Sequence, residues 1–323
     1  MEKRPGLPKL PPLVEAPRYS VVIPVYNEQE NLPELYRRLT AVLKPLKEPY
    51  EIVFVDDGSR DDSRALIRKL ATEDKNVRAL FLSRNFGHQA ALSAGLDHSR
   101  GQAVIAMDCD LQDPPEVIPQ LIERWRGGFQ VVYAIRKKRK ETVLKKAAYV
   151  LFYRLLHGMA DLDIPMDAGD FSLVDRQVVD IMKKMPERNR FIRGLRSWVG
   201  FQQCGLEYER DARHAGEPKY TFTRLVKLAF DGFLSFSYVP LRMAFWLGLT
   251  AFLMCLIYTG YALYGKIVLG ANPPGWTSLM IAVMLLGGVE LVLIGIVGEY
   301  IARIYDEVKQ RPFYVVGERI NND

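Results

Sequence analysis

Short β-branched runs alternate with stretches of helical spacing through the first part of the chain. Residues 19–24 (YSVVIP), 50–56 (YEIVFVD), 77–83 (VRALFLS), 103–108 (AVIAMD) and 130–135 (QVVYAI) read as strands. Between them, 31–43, 61–72, 87–99 and 116–126 set their apolar residues at helical intervals. Pro114 and Pro115 followed by Glu116 make a helix start, since proline fits the first turn and glutamate complements the dipole. Alternating strand and helix predict an α/β fold built on a doubly wound, mostly parallel sheet. Ligands of such sheets bind beyond the carboxyl ends of the strands.

The pattern changes near the C-terminus. Residues 243–264 carry no charge, and 276–298 carry only Glu290. At about 1.5 Å per residue, each is long enough for a hydrocarbon layer of about 30 Å. A buried helix of a soluble protein would show one polar face at this length; a two-helix transmembrane hairpin is the expectation. Glu290, costly in lipid unless neutral or partnered, is expected in a helix–helix contact near Gly287 and Gly288, ahead of a contact with a prenyl chain. Only Lys266 lies between the spans, whereas Lys219, Arg224, Lys227 and Arg242 precede them and Arg303, Lys309 and Arg311 follow. The positive-inside rule then puts both flanks and the α/β domain in the cytoplasm. The expected organisation is a flexible Pro-rich arm (1–18) without the apolar stretch of a signal peptide, an α/β domain (19–218) and aromatic-rich interfacial helices (219–240). The hairpin (241–298) and a cytoplasmic tail (299–323) complete it, the tail returning to the soluble domain as a helix and a short strand.

Composition adds limits. With 49% apolar and 25% charged residues, the 323-residue chain is not a disordered one, and its average conceals a soluble part joined to a lipid part. The net charge of +6 suits an anionic membrane face or phosphorylated substrates, and no nucleic-acid partner is expected. Cys109, Cys204 and Cys255 are odd in number and lack metal-ligand spacing, which argues against a disulfide framework.

Acids collect at the strand ends. Asp108-Cys109-Asp110-Leu111-Gln112 follows the fourth strand, where two carboxylates one residue apart can enter one cleft and share a hard divalent cation with substrate phosphates. Asp56-Asp57-Gly58-Ser59 closes the second strand, either as an Asx turn or as a carboxylate for a nucleotide's N–H and O–H groups. Pro24-Val25-Tyr26-Asn27-Glu28 ends the first, and Pro24 is expected to turn the chain out of the sheet. His88 and His214 read as polar surface or helix caps, and Phe191-Ile192-Arg193-Gly194 with Trp198 as ordinary core, an acceptor wall or a mobile lid.

VIPVYNE, VDDGS and DCDLQDPPE, in this order, resemble the family-2 glycosyltransferases of GT-A fold. Ser83-Arg84-Asn85-Phe86-Gly87, Gly169-Asp170-Phe171 and the run Glu299-Tyr300-Ile301-Ala302-Arg303-Ile304-Tyr305 narrow the resemblance to the polyprenyl-phosphate glycosyltransferases, over about 19–316. That likeness implies a GT-A Rossmann-like sheet and transfer of a single hexose, glucose first, from a nucleoside-diphosphate sugar to a polyprenyl phosphate, with inversion. It implies Mg²⁺ or Mn²⁺ on Asp108, Asp110 and Gln112, and a donor nucleotide site of Pro24, Tyr26, Asn27, Glu28, Asp57 and Asp108. Asp110, Asp170 and Arg136 take the catalytic roles, and Arg136, Arg213 and Lys219 the acceptor phosphate. Membrane lipids and a homo-oligomer through the hairpin or tail complete the expected partners. Cys109 departs from the usual small residue between the acids.

The chemistry is self-consistent. A departing diphosphate develops negative charge that a cation stabilises, and a phosphate acceptor, carrying about −1.5 to −2 charge, attacks without a strong base. It must be held by cations, for which Arg136 and the basic run to Lys140 are candidates. A dinucleotide oxidoreductase would need G-x-G-x-x-G where Pro24–Glu28 stands. Gly260 to Lys266 mimics a P-loop but Ile267 replaces its Ser/Thr. A processive synthase carries Q-x-x-R-W, and Gln120 to Arg124-Trp125 is one residue too long. A non-catalytic anchor or scaffold is the alternative of another class, against which the intact acid set argues.

Overall fold

The computed structural model describes residues 17–136, 168–185, 187, 190–209, 239–268 and 275–321. An eight-stranded sheet runs β7-β5-β6-β4-β1-β2-β3-β8. Its strands are β1 (Tyr19–Val25), β2 (Tyr50–Asp56), β3 (Val77–Leu82), β4 (Ala103–Ala106), β5 (Val131–Arg136), β6 (Ala168–Asp175), β7 (Gln203–Tyr208) and β8 (Val316–Ile320). β3, β2, β1 and β4 are mutually parallel, β6 is antiparallel to β4 and β5, β7 is parallel to β5, and β8 antiparallel to β3. The mostly parallel α/β sheet expected from the alternation is present.

β1 to β4 are near-continuous apolar runs because both faces of the sheet are covered. On one face Leu35, Leu39 and Leu43 of α1 (Leu32–Leu43), Ile67 of α2 (Ser63–Glu73) and Leu121 of α4 (Ile118–Arg126) pack on Ile23, Phe54 and Phe81. On the other, α3 (His88–His98), α5 (Arg176–Lys184) and α6 (Ile192–Trp198) pack on Val22, Val55 and Val104.

Pro24 does not turn the chain out of the sheet as the sequence predicted; it lies within a central strand, opposite Val55. The reason is local. The Val22 carbonyl faces β4 and accepts from the Met107 amide, so Pro24, two residues on, faces the same side beyond the end of the β4 ladder. No partner awaits the missing N–H there. The fourth strand also stops at Ala106, short of the expected Asp108, which leaves both acids on the loop.

Two further helices, α7 (Val239–Val268) and α8 (Trp276–Val308), contain stretches long and apolar enough to cross a membrane, at mean hydropathy 1.6 and 2.0 and unburied by the chain. Both exceed the predicted spans, and α8 runs on through Glu299 into the polar tail. Within the chain Glu290 is exposed, and a Cβ added at Gly287 or Gly288 would meet nothing within 4 Å. The tail returns as β8 on the β3 edge, as predicted. The arm to residue 16 and the interfacial segment to 238 lie outside the described residues.

Candidate active site

The carboxyl ends of β1, β2 and β4 meet at one edge of the sheet, and their loops lock together. After β1, Asn27 adopts a left-handed φ of 53°, its amide donates to Ser59 Oγ (3.0 Å) and its side-chain oxygen accepts from the Arg60 amide (2.8 Å). The Glu28 amide donates to Ser63 Oγ (2.9 Å), and Glu28 Oε2 accepts from Asn31 (2.7 Å). Tyr26 is half-buried beside them. Asn27 and Glu28 therefore fix the shape of this corner. After β2, Gly58 at φ 72° brings its backbone against Arg84 and Asn85, where a Cβ would stand 2.7 Å from the Asn85 nitrogen.

Asp57 ties that corner to the next. It is almost fully buried, and its two oxygens accept from the amides of Phe86 (2.7 Å) and Gly87 (2.9 Å). Burial raises its pKa against the pull of these two amides. The loop so held delivers His88 as the first residue of α3.

After β4 the side chains alternate. Cys109, Leu111 and Asp113 are buried, whereas Asp108, Asp110 and Gln112 are half-buried and share the open face. Leu111 takes a left-handed φ of 59°, and Asp110 Oδ1 accepts from the Gln112 amide (3.2 Å) across it. Asp113 is inside, accepting from the Tyr208 hydroxyl. Cys109 is anchored in the core, which turns the flanking acids outward.

Asp170 arrives from the opposite direction, near the start of β6. Arg193 of α6 grips it in a fork, Nε to Oδ1 at 2.7 Å and Nη2 to Oδ2 at 3.0 Å. His88 Nε2 lies 3.5 Å from Asp170 Oδ2 and 3.6 Å from Asp108 Oδ1, so one imidazole bridges the acid after β4 and the acid of β6. The Ile192 amide donates to Gln89 Oε1 (3.0 Å), fastening α6 to α3.

The charges follow from these contacts. Burial disfavours ionised Asp170, but Arg193 and His88 outweigh it and hold its carboxyl well below the usual range. Burial likewise disfavours charged His88, yet the bond to Asp170 and the charge of Asp108 push it up to about 9. Desolvation raises Asp108 to about 6, opposed by His88 and reinforced by Asp170, Asp113 and Asp110. Asp108 thus stands in an excess of negative charge, on a face with a second carboxylate and an amide. This donor set fits a hard divalent cation. Among the described residues no three His, Cys, Asp or Glu are grouped to hold an ion by themselves, so the fit is to a cation shared with a substrate's oxygens.

Two residues here escaped sequence reasoning. The sequence reads His88 as surface or cap, and Arg193 as core, acceptor wall or lid. The available signal was position: His88 opens the helix after β3, at the same sheet edge as the acids. Arg136 closes β5 at that edge, with its side chain outside the described residues, as are Arg213 and Lys219 entirely.

Comparison with known proteins agrees with this architecture. The glycosyl transferase family 2 profile matches residues 20–181, and that of the GtrB C-terminal hairpin matches 239–304. The chain is 48% identical over 300 residues to the uncharacterized glycosyltransferase YkcC of Bacillus subtilis, covering 93% of each. It is 43% identical over 302 residues to the bactoprenol glucosyl transferase of Shigella phage SfII, covering 93% of this chain and 97% of that one. Staphylococcus aureus TarS 1–349 with UDP-GlcNAc aligns over 68% of this chain and 67% of that chain, at TM-score 0.45 and 16% identity. The strand-end acids and the two apolar helices thus have one common explanation: the chain belongs to glycosyl transferase family 2, with a GT-A domain followed by a GtrB-type C-terminal hairpin.

Proposed function

We propose that the protein transfers one glucose from a nucleoside-diphosphate sugar to a polyprenyl phosphate at the cytoplasmic membrane face. The observation that carries this reading is the cluster Asp108, Asp110, His88, Asp170 and Arg193 at the sheet edge of a chain with two apolar helices. The bactoprenol glucosyl transferases at 43% identity over nearly their whole length support the sugar and the lipid.

Asp108, Asp110 and Gln112 would hold Mg²⁺ or Mn²⁺, which when bound supplies positive charge to the departing diphosphate. The donor nucleotide lies along Pro24, Tyr26, Asn27, Glu28 and Asp57, whose interlocked loops are preorganised for it. Asp170, held ionised by Arg193 and His88, faces the transferred sugar and accepts from its hydroxyls. An acceptor phosphate oxygen attacks the anomeric carbon; a new C–O bond forms, the bond to the diphosphate breaks, and its electron pair leaves with the diphosphate. Direct displacement inverts the anomeric centre. Because the phosphate enters already deprotonated, no residue has to remove a proton, and His88 serves as an electrostatic bridge. Arg136, Arg213 and Lys219 counter the repulsion between two phosphorylated substrates. The excess of Lys and Arg on the outer flanks of the hairpin supports cytoplasmic ends and a cytoplasmic catalytic domain.

The test is a screen of nucleotide sugars against a short-chain prenyl phosphate with purified full-length protein and mass detection. UDP-glucose is expected to give a hexosyl prenyl phosphate, and chelation of divalent ions is expected to stop it. Undiminished turnover in metal-free buffer would reject the assignment, and turnover with another sugar alone would reject glucose.

A further inference from the structure

Arg196 lies one helical turn beyond Arg193 on α6 and is 1% exposed, in the company of the core apolar side chains. Its guanidinium stands 5.6 Å from the centre of the Tyr133 ring. Its Nε and Nη1 are both buried and donate to nothing. The carboxylate whose charge acts on it is Asp170, which Arg193 forks through both oxygens. Burial pulls the guanidinium down to about 10, so it remains charged at neutral pH.

Such a group is a liability for folding. A buried cation with idle donors is strongly unfavourable, and an apolar side chain of similar volume would pack there without that cost. Its place beside the sheet supplies the missing reason. Tyr133 pairs with Ser172 of β6, two residues from Asp170, and β5 continues from Tyr133 to Arg136 at the sheet edge. The idle donors therefore belong to the helix that grips the acid facing the sugar, and they lie beside the strand that ends in the expected phosphate-binding arginine. A planar guanidinium with free N–H groups is matched in geometry and charge by phosphate oxygens. Seclusion from water strengthens such a bond.

Resting on the reaction proposed above, we propose that Arg196 is a further binding residue of the acceptor subsite, its free guanidinium donors engaging the phosphate of the prenyl phosphate alongside Arg136. Arg193 then serves Asp170 and the sugar, while Arg196, on the same helix, serves the attacking group. One short helix aligns both partners of the transfer.

The experiment compares wild type, Arg196→Met and Arg196→Lys as full-length protein in detergent, with UDP-glucose and a short-chain prenyl phosphate. Arg196→Met is expected to melt at or above the wild-type temperature while its KM for the prenyl phosphate rises about 10- to 100-fold, the range of hydrogen bonds to a charged group. Its KM for UDP-glucose is expected to stay unchanged, and Arg196→Lys to recover part of the loss. An unchanged acceptor KM overturns the proposal. So does a lowered melting temperature with both KM values raised together, which would mark a structural arginine. Should the Met variant fail to fold, the Lys variant decides alone: a selective rise in acceptor KM supports the role, and wild-type values reject it. Wild type that transfers normally while both variants match it strikes only Arg196, whereas wild type without transfer to any prenyl phosphate strikes the reaction itself and this inference with it.

Discussion

Between Arg193 on one side and His88 on the other, Asp170 keeps its charge in surroundings that would otherwise protonate it. Arg193→Ala should leave that carboxylate buried without its fork, lowering stability by about 2–3 kcal/mol and kcat by about 100-fold or more. Arg193→Lys should restore charge without the bidentate geometry and so recover only part of both. Thermal melts beside single-turnover rates will separate the two effects; a variant with wild-type turnover would remove Asp170 from the sugar site. The acids themselves were legible in the sequence because D-x-D after a buried strand constrains both position and chemistry. His88 and Arg193 were not, since each finds its partner far along the chain and a lone histidine or arginine carries no spacing signal. Asp57 was legible as a strand-end acid, but its grip on the Phe86 and Gly87 amides depends on a loop that only the fold brings near.

Strands buried on both faces announce themselves as β-branched runs, which is why β1 to β5 were readable within a residue or two. β6 and β7 were missed: AGDFSLVD mixes glycine and two acids, and QCGLEY lies at the far edge of the sheet with its side chains only partly covered. Pro24 misled because a proline inside a central strand is tolerated only where one neighbour has already ended, a fact of register invisible in one chain. The C-terminal strand shows why an element so far along the sequence matters. β8 covers the β3 edge; Arg68 forks Glu318 (3.1 and 2.5 Å), Arg78 Nε donates to the Asn321 carbonyl (3.1 Å), and Asn321 Nδ2 donates to the carbonyls of Ala71 (2.6 Å) and Val77 (2.9 Å). Arg78 is buried and also bonded to Glu51 (2.7 Å), so removing β8 strips one of its bonds and bares a sheet edge. A chain stopped after Lys309 is expected to melt about 5–10 °C lower and to aggregate on warming. An unchanged melting temperature and solubility would show that β8 is ornamental to the domain.

At the scale of the molecule, the catalytic sheet is tied to the hairpin on both sides, through the segment before α7 and through the stretch between α8 and β8. The two long apolar stretches were plain from where charge stops, whereas the full length of α8, carried ten residues past the apolar span as one helix, was not, because helix continuity depends on no single residue. All of it presupposes that the face formed by Asp108, Asp110 and Gln112 takes up a divalent ion together with the donor's diphosphate. Titration of Mn²⁺ into the full-length protein with UDP, followed by paramagnetic resonance, reads that step without catalysis. Wild type should show a bound-ion signal that strengthens with UDP, and Asp110→Asn should lose it while melting as wild type does; equal uptake by both proteins would contradict the account.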